Sequence, residues 1–80
     1  MEISISQTVG SNIKAMLSAR EMSLRELSRR TNVAPSMLCG IVSGDKTPSL
    51  PALVRIADAL GTTPVRLMQV RTGEEEENDA

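Results

Sequence analysis

SLRELSRRTNVAPSMLCGIVSG, residues Ser23 to Gly44, decides how this chain folds. Ser23 followed three residues later by Glu26 is an S-x-x-E capping box, the signature of a helix N-terminus. Leu24, Leu27 and Ser28 then share one face of a short helix at i, i+3, i+4. Thr31-Asn32-Val33 makes the turn, because Asn32 tolerates a left-handed backbone at little cost. A second helix starts around Pro35, whose missing N–H has no intrahelical partner in a first turn. Leu38, Ile41 and Val42 give it a buried stripe, and Gly44 stands where a C-terminal glycine belongs. Two short helices joined this closely cannot both bury every face in one core. The second must project a face outward.

Before this stretch, Met1–Ser6 (MEISIS) alternates Ile3 and Ile5 with polar residues. It is too short to stand as a strand. It reads as an N-terminal arm over residues 1–6, with an edge pairing to a second copy as the alternative. From Gln7 to Glu21 the period becomes helical: Val9, Ile13, Met16 and Leu17 stack on one face. Gly10 inside that helix costs up to ~1 kcal/mol relative to alanine, which predicts a close neighbour. From Ser43 onward, SGDKTPS (43–49) is dense in turn formers. Ser49 caps a fourth helix with Leu50, Leu53, Val54, Ile56, Ala57 and Leu60 as its apolar face and Gly61 at its end. Pro51 is admissible there because it falls in the first turn. Thr63 caps a fifth helix starting at Pro64, with Val65, Leu67, Met68 and Val70 as apolar residues. The expected architecture is all-α, five short helices over residues 7–72, followed by an acidic disordered tail over 73–80.

Composition narrows the function. With no Phe, Tyr or Trp, the core must be aliphatic, and an aromatic platform for stacking single-stranded bases is excluded. With no His and one Cys, metal sites, disulfide frameworks and His-based catalysis lack their raw material. No cofactor, no metal ligand and no enzymatic activity are expected. No apolar run suits a membrane span and no signal peptide opens the sequence, so the expected location is cytoplasmic. The formal charge of −1 conceals a division. All nine basic residues and five of the ten acidic ones lie in 1–72, a net +4, whereas Gly73–Ala80 carries −5. A moderately basic globule bears an acidic tag.

A basic globule with one helix face turned outward is the design of a helix-turn-helix that reads duplex DNA. The chain also resembles the Cro/C1-type (XRE-like) helix-turn-helix family of phage repressors and bacterial transcriptional regulators. The resemblance runs from about Val9 to Met68. It is carried by Ser23-Leu24-Arg25-Glu26-Leu27-Ser28, the spacing to Val33, Leu38 and Ile41, Gly44, Pro48-Ser49-Leu50, and Ile56-Ala57-Asp58-Ala59-Leu60-Gly61. It implies a five-helix lambda-repressor-like domain that dimerises and places its third helix in the major groove. Three departures stand out. Leu24 occupies a position where the family commonly has a phosphate-binding Gln. Glu21 occupies one that is often Gly, which implies backbone strain there. Leu17 and Val42 replace a first-helix Arg and third-helix Glu that the family often pairs. Exchanging both members of an ion pair for packed apolar groups is often neutral or stabilising, whereas losing one costs about 3–5 kcal/mol.

By that resemblance, base contacts come from Pro35, Ser36, Met37 and Gly40. This reading head has no Arg, Gln or Asn for a bidentate base contact, so DNA shape would carry much of the specificity. Phosphate contacts fall to Ser23, Leu24 (through its backbone N–H), Arg25, Arg29, Arg30, Lys46 and Thr47. Most single Lys and Arg residues are otherwise plain solvated charges. Val65, Leu67, Met68 and Val70 are the expected dimer seam, the plainer alternative being closure of the core over the first helix. Cys39 on the outward face reads as a small space-filling side chain rather than a redox switch. The tail reads as solubilising rather than as a mimic of DNA phosphate. The expected function is a sequence-specific, double-stranded-DNA-binding transcriptional regulator, a repressor, acting as a homodimer. The alternative is a protein-interaction module with a protein partner, such as an antitoxin or anti-repressor on the same scaffold.

Overall fold

The computed structural model describes residues 4–70. Its elements are α1 (Ile5–Ala19), α2 (Leu24–Thr31), α3 (Pro35–Ser43), α4 (Leu50–Leu60) and α5 (Pro64–Met68). The five-helix, all-α architecture is therefore as expected. The acidic stretch 73–80 and the first three residues of the expected arm lie outside the described residues.

Every helix except α3 begins where a side chain can satisfy one of its first N–H groups. The hydroxyls of Ser4, Ser23, Ser49 and Thr63 accept from the backbone N–H of Gln7, Glu26, Ala52 and Arg66. Three of these caps match the expected ones. The first does not: Ser4 starts α1 at Ile5, two residues before the expected Gln7, so Ile5 and Ser6 belong to the helix. The exit from α1 also comes earlier than expected. Glu21 adopts φ 52° and Met22 N–H reaches back to the Leu17 carbonyl at 2.9 Å. That is the helix termination a glycine ordinarily makes, so the strain implied at Glu21 is present. Glu21→Gly is expected to raise stability by roughly 0.5–1 kcal/mol, read as a higher urea midpoint at unchanged slope.

The core is aliphatic: Val9, Ile13, Leu17, Leu27, Leu38, Ile41, Leu53, Ile56, Ala57, Leu60 and Leu67. α1 packs across α3 and against α5, while α4 packs against α2 and α5. Leu17 is buried and Val42 packs against the core, which suits the apolar exchange at both positions. Two expectations for α4 are corrected. Leu50 and Val54 are 71% and 47% exposed, because the face that meets the core is the one carrying Leu53, Ile56, Ala57 and Leu60. The apolar stripe of α4 is thus wider than the surface it buries.

One buried polar residue fastens the fold. Asn12, 3% exposed, donates from Nδ2 to the carbonyls of Leu67 at 2.7 Å and Gln69 at 2.8 Å. It closes the C-terminal end of α5, whose five residues are too few to hold themselves. Asn12→Ala strands those carbonyls and is expected to cost about 1–3 kcal/mol, measured by denaturant unfolding.

Candidate nucleic-acid interface

The turn between α2 and α3 is built by hydroxyls as well as by Asn32. Asn32 adopts φ 60°, ψ 28°, and its N–H bonds the Ser28 carbonyl at 2.8 Å. Ser28 Oγ donates to the Val33 carbonyl at 2.6 Å, and Thr31 Oγ1 accepts from Val33 N–H at 3.3 Å while donating to the Leu27 carbonyl. Ser28 and Thr31 thus set the angle at which α3 leaves α2. Their small hydroxyl side chains at the end of a helix were the signal, which the apolar periodicity alone does not weigh.

α3 then divides cleanly. Leu38 and Ile41 are fully buried, whereas Ala34, Pro35, Ser36, Met37 and Cys39 are exposed. Three of the four expected base-reading residues, Pro35, Ser36 and Met37, therefore stand on an open face. Gly40, the fourth, is half-buried: the stem of Lys46 runs over it, and a Cβ there would lie 2.8 Å from Lys46 Cδ. α3 has no side-chain N-cap, so its first N–H groups have no side-chain partner.

The expected phosphate set is spread over more than one surface. Arg25 and Arg29, four residues apart, share the outward stripe of α2. Arg30 turns toward α4, where it lines a shallow groove with Thr31, Asn32, Arg55, Asp58 and Ala59. Ser23 is exposed at the α2 N-terminus with its oxygen accepting from Glu26 N–H at 3.1 Å. Leu24 is half-buried against the core, leaving only its backbone N–H for an outside partner. Lys46 and Thr47 are exposed in the loop after α3, and the Thr47 hydroxyl is hydrogen-bonded to that of Ser6.

Glu26 corrects one detail of the capping box. Its carboxylate does not return to Ser23 but binds Arg29 Nη2 at 2.6 Å and Arg30 Nε at 2.8 Å. Hydrogen bonds from Arg30 and then Arg29 hold the Glu26 carboxyl below its ordinary value of 4.5, and Glu26 raises Arg29 in turn. Because the folded value is the lower one, the pair's contribution is present above pH about 4.5 and is lost as pH falls through the lowered value. Both guanidinium groups stay largely in water, with side chains 76% and 54% exposed, so the bridge costs neither its access to solvent.

Of the expected dimer seam, Val65, Met68 and Val70 are 61%, 39% and 46% exposed. Leu67 is a correction: it is fully buried in its own protomer, because α5 turns it down between α1 and α4 to close the core. Cys39 is exposed rather than space-filling. Among the described residues no cluster of His, Cys, Asp or Glu could hold a metal ion, and no helix is long and apolar enough to cross a membrane.

Comparison with known proteins agrees with this geometry. A family model described as helix-turn-helix matches residues 13–67. The structure is similar to that of the clp gene regulator ClgR from Corynebacterium glutamicum, at 22% identity and a TM-score of 0.82, covering 99% of this chain and 84% of that one. A second ClgR structure gives 24% identity and a TM-score of 0.76 over 82% and 86% of the two chains. The restriction-modification controller protein C.AhdI from Aeromonas hydrophila gives 22% identity and a TM-score of 0.74, covering 78% of this chain and 94% of that one. A comparison with curated protein sequences finds no match.

Proposed function

The chain belongs to the helix-turn-helix family, and from that premise we propose that it is a sequence-specific transcriptional regulator that binds duplex DNA, a repressor acting as a homodimer. The observation that carries this is the division of α3. Its inner residues Leu38 and Ile41 are fully buried, while Pro35, Ser36 and Met37 are left open. A helix held rigidly on one side and bare on the other is what a major groove admits.

Phosphates would fall to Arg25 and Arg29 on the outward stripe of α2 and to the N–H groups at its first turn. Glu26 pre-orients Arg29 without using all its donors, since only Nη2 is engaged. The exposed apolar residues Val65, Met68 and Val70 supply the two-fold seam, and a C2 dimer then sets two α3 helices about 34 Å apart. The gene regulator and the controller protein that the fold resembles support a regulatory role in kind.

Affinity for a duplex should fall linearly on a log–log salt plot, and Arg29→Ala should reduce the slope by about one for each half-site contacted. Val65→Glu should shift sedimentation from dimer to monomer and weaken DNA binding with it. Salt-independent binding, or a dimer untouched by Val65→Glu, contradicts the corresponding part of the proposal.

A further inference from the structure

We infer that Lys46, in the loop after α3, supplies the contact to base edges that α3 itself lacks, and that Gly40 is the cradle that brings it there. The inference rests on the DNA-binding reading and refines it, since Lys46 was expected to hold a phosphate.

The exposed residues of α3 are Pro35, Ser36, Met37, Cys39 and Ser43. The Ser43 hydroxyl, in the last turn, is engaged with the Gly40 carbonyl at 3.0 Å and the Asp45 carboxylate at 3.2 Å. That leaves the Ser36 hydroxyl as the one strong hydrogen-bonding group among the first four. Lys46 is laid over the same face. The Gly40 carbonyl accepts from both Asp45 N–H at 2.9 Å and Lys46 N–H at 3.1 Å, which pins the start of the loop to the last turn of α3. The Lys46 stem then crosses the space a Gly40 side chain would fill. A Cβ there would meet Cδ at 2.8 Å, Cγ at 3.0 Å and Cε at 3.3 Å. Gly40 lies one turn after Ser36 and Met37, so the ammonium emerges on their face of the helix. Among the described residues no carboxylate lies within ion-pair distance of Lys46, and the neighbouring Asp45 accepts from Ser43 Oγ at 3.2 Å. An ammonium has donors and no acceptor. On a major-groove edge it suits guanine, which presents O6 and N7 together.

The test is selection from a random duplex library by three full-length proteins: the natural chain, Lys46→Met and Gly40→Ala. The natural chain should enrich guanine at one position of each half-site. Lys46→Met should lose that preference by about tenfold while keeping the others. Gly40→Ala should do the same at full or slightly higher stability by circular dichroism. Its Cβ meets only a flexible stem, and alanine favours a helix by up to ~1 kcal/mol over glycine. If Lys46→Met instead weakens all sequences equally and lowers the salt slope by about one, Lys46 is a phosphate contact and the inference is overturned. It is also overturned if Gly40→Ala leaves the guanine preference intact. A natural chain that retains no duplex at all refutes the DNA-binding reading, and this inference with it.

Discussion

Gly10→Ala is expected to destabilise the protein by about 2 kcal/mol, lowering its melting temperature by roughly 10 °C. Gly10 lies in the middle of α1 where that helix crosses α3, and it is buried. A Cβ added there would sit 2.6 Å from the Val42 carbonyl oxygen and closer still to that of Ile41. Both obstacles are backbone, so no rotamer change relieves them and the two helices must separate. Separation would open the contacts around Val9, Ile13 and Ile41, all buried. The intrinsic gain of alanine over glycine in a helix, up to ~1 kcal/mol, offsets only part of this. The contrast with Gly40 is instructive. The same substitution in another helix interior meets only a lysine stem and should be harmless to the fold. Thermal and urea unfolding of the two variants side by side tests the distinction; equal stabilities would contradict it.

Met37→Glu is expected to reduce affinity for the selected duplex by roughly 100-fold or more while leaving the fold intact. Met37 is 40% exposed on the outward face of α3, so the change should alter stability by no more than about 0.5 kcal/mol. In the groove its carboxylate meets the acceptor-rich edges and the phosphate field, and discrimination of several kcal/mol is within the usual range between specific and non-specific sites. The check is fluorescence anisotropy at fixed salt together with an unchanged melting temperature. Undiminished affinity would mean that α3 is not the element facing the DNA.

Much of this fold is legible in the sequence because its punctuation is local. Ser23, Ser49 and Thr63 announce helix starts and Asn32, Gly44 and Gly61 announce ends, and each adopts the conformation its chemistry favours. Gly10 announced a close helix crossing for the same reason: a glycine in a helix interior needs a cause. What could not be read was long-range. Asn12 looks like an ordinary polar residue on α1, and nothing near it in sequence says that it fastens the end of α5 more than fifty residues away. Leu50, Val54 and Leu67 carry the same apolar signal, yet only Leu67 is buried, because burial depends on which neighbour arrives. At the candidate interface the outward residues of α3 follow from helical period. The course of Lys46 over Gly40 does not, since it depends on a loop folding back on its own helix.

The central claim is that the open face of α3 reads duplex DNA as one half of a two-fold pair. Selection from a random duplex library by the purified chain tests it most directly. The account predicts an enriched pseudo-palindrome whose half-sites lie one helical turn, about 34 Å, apart. Failure to retain any duplex even at low salt would contradict it.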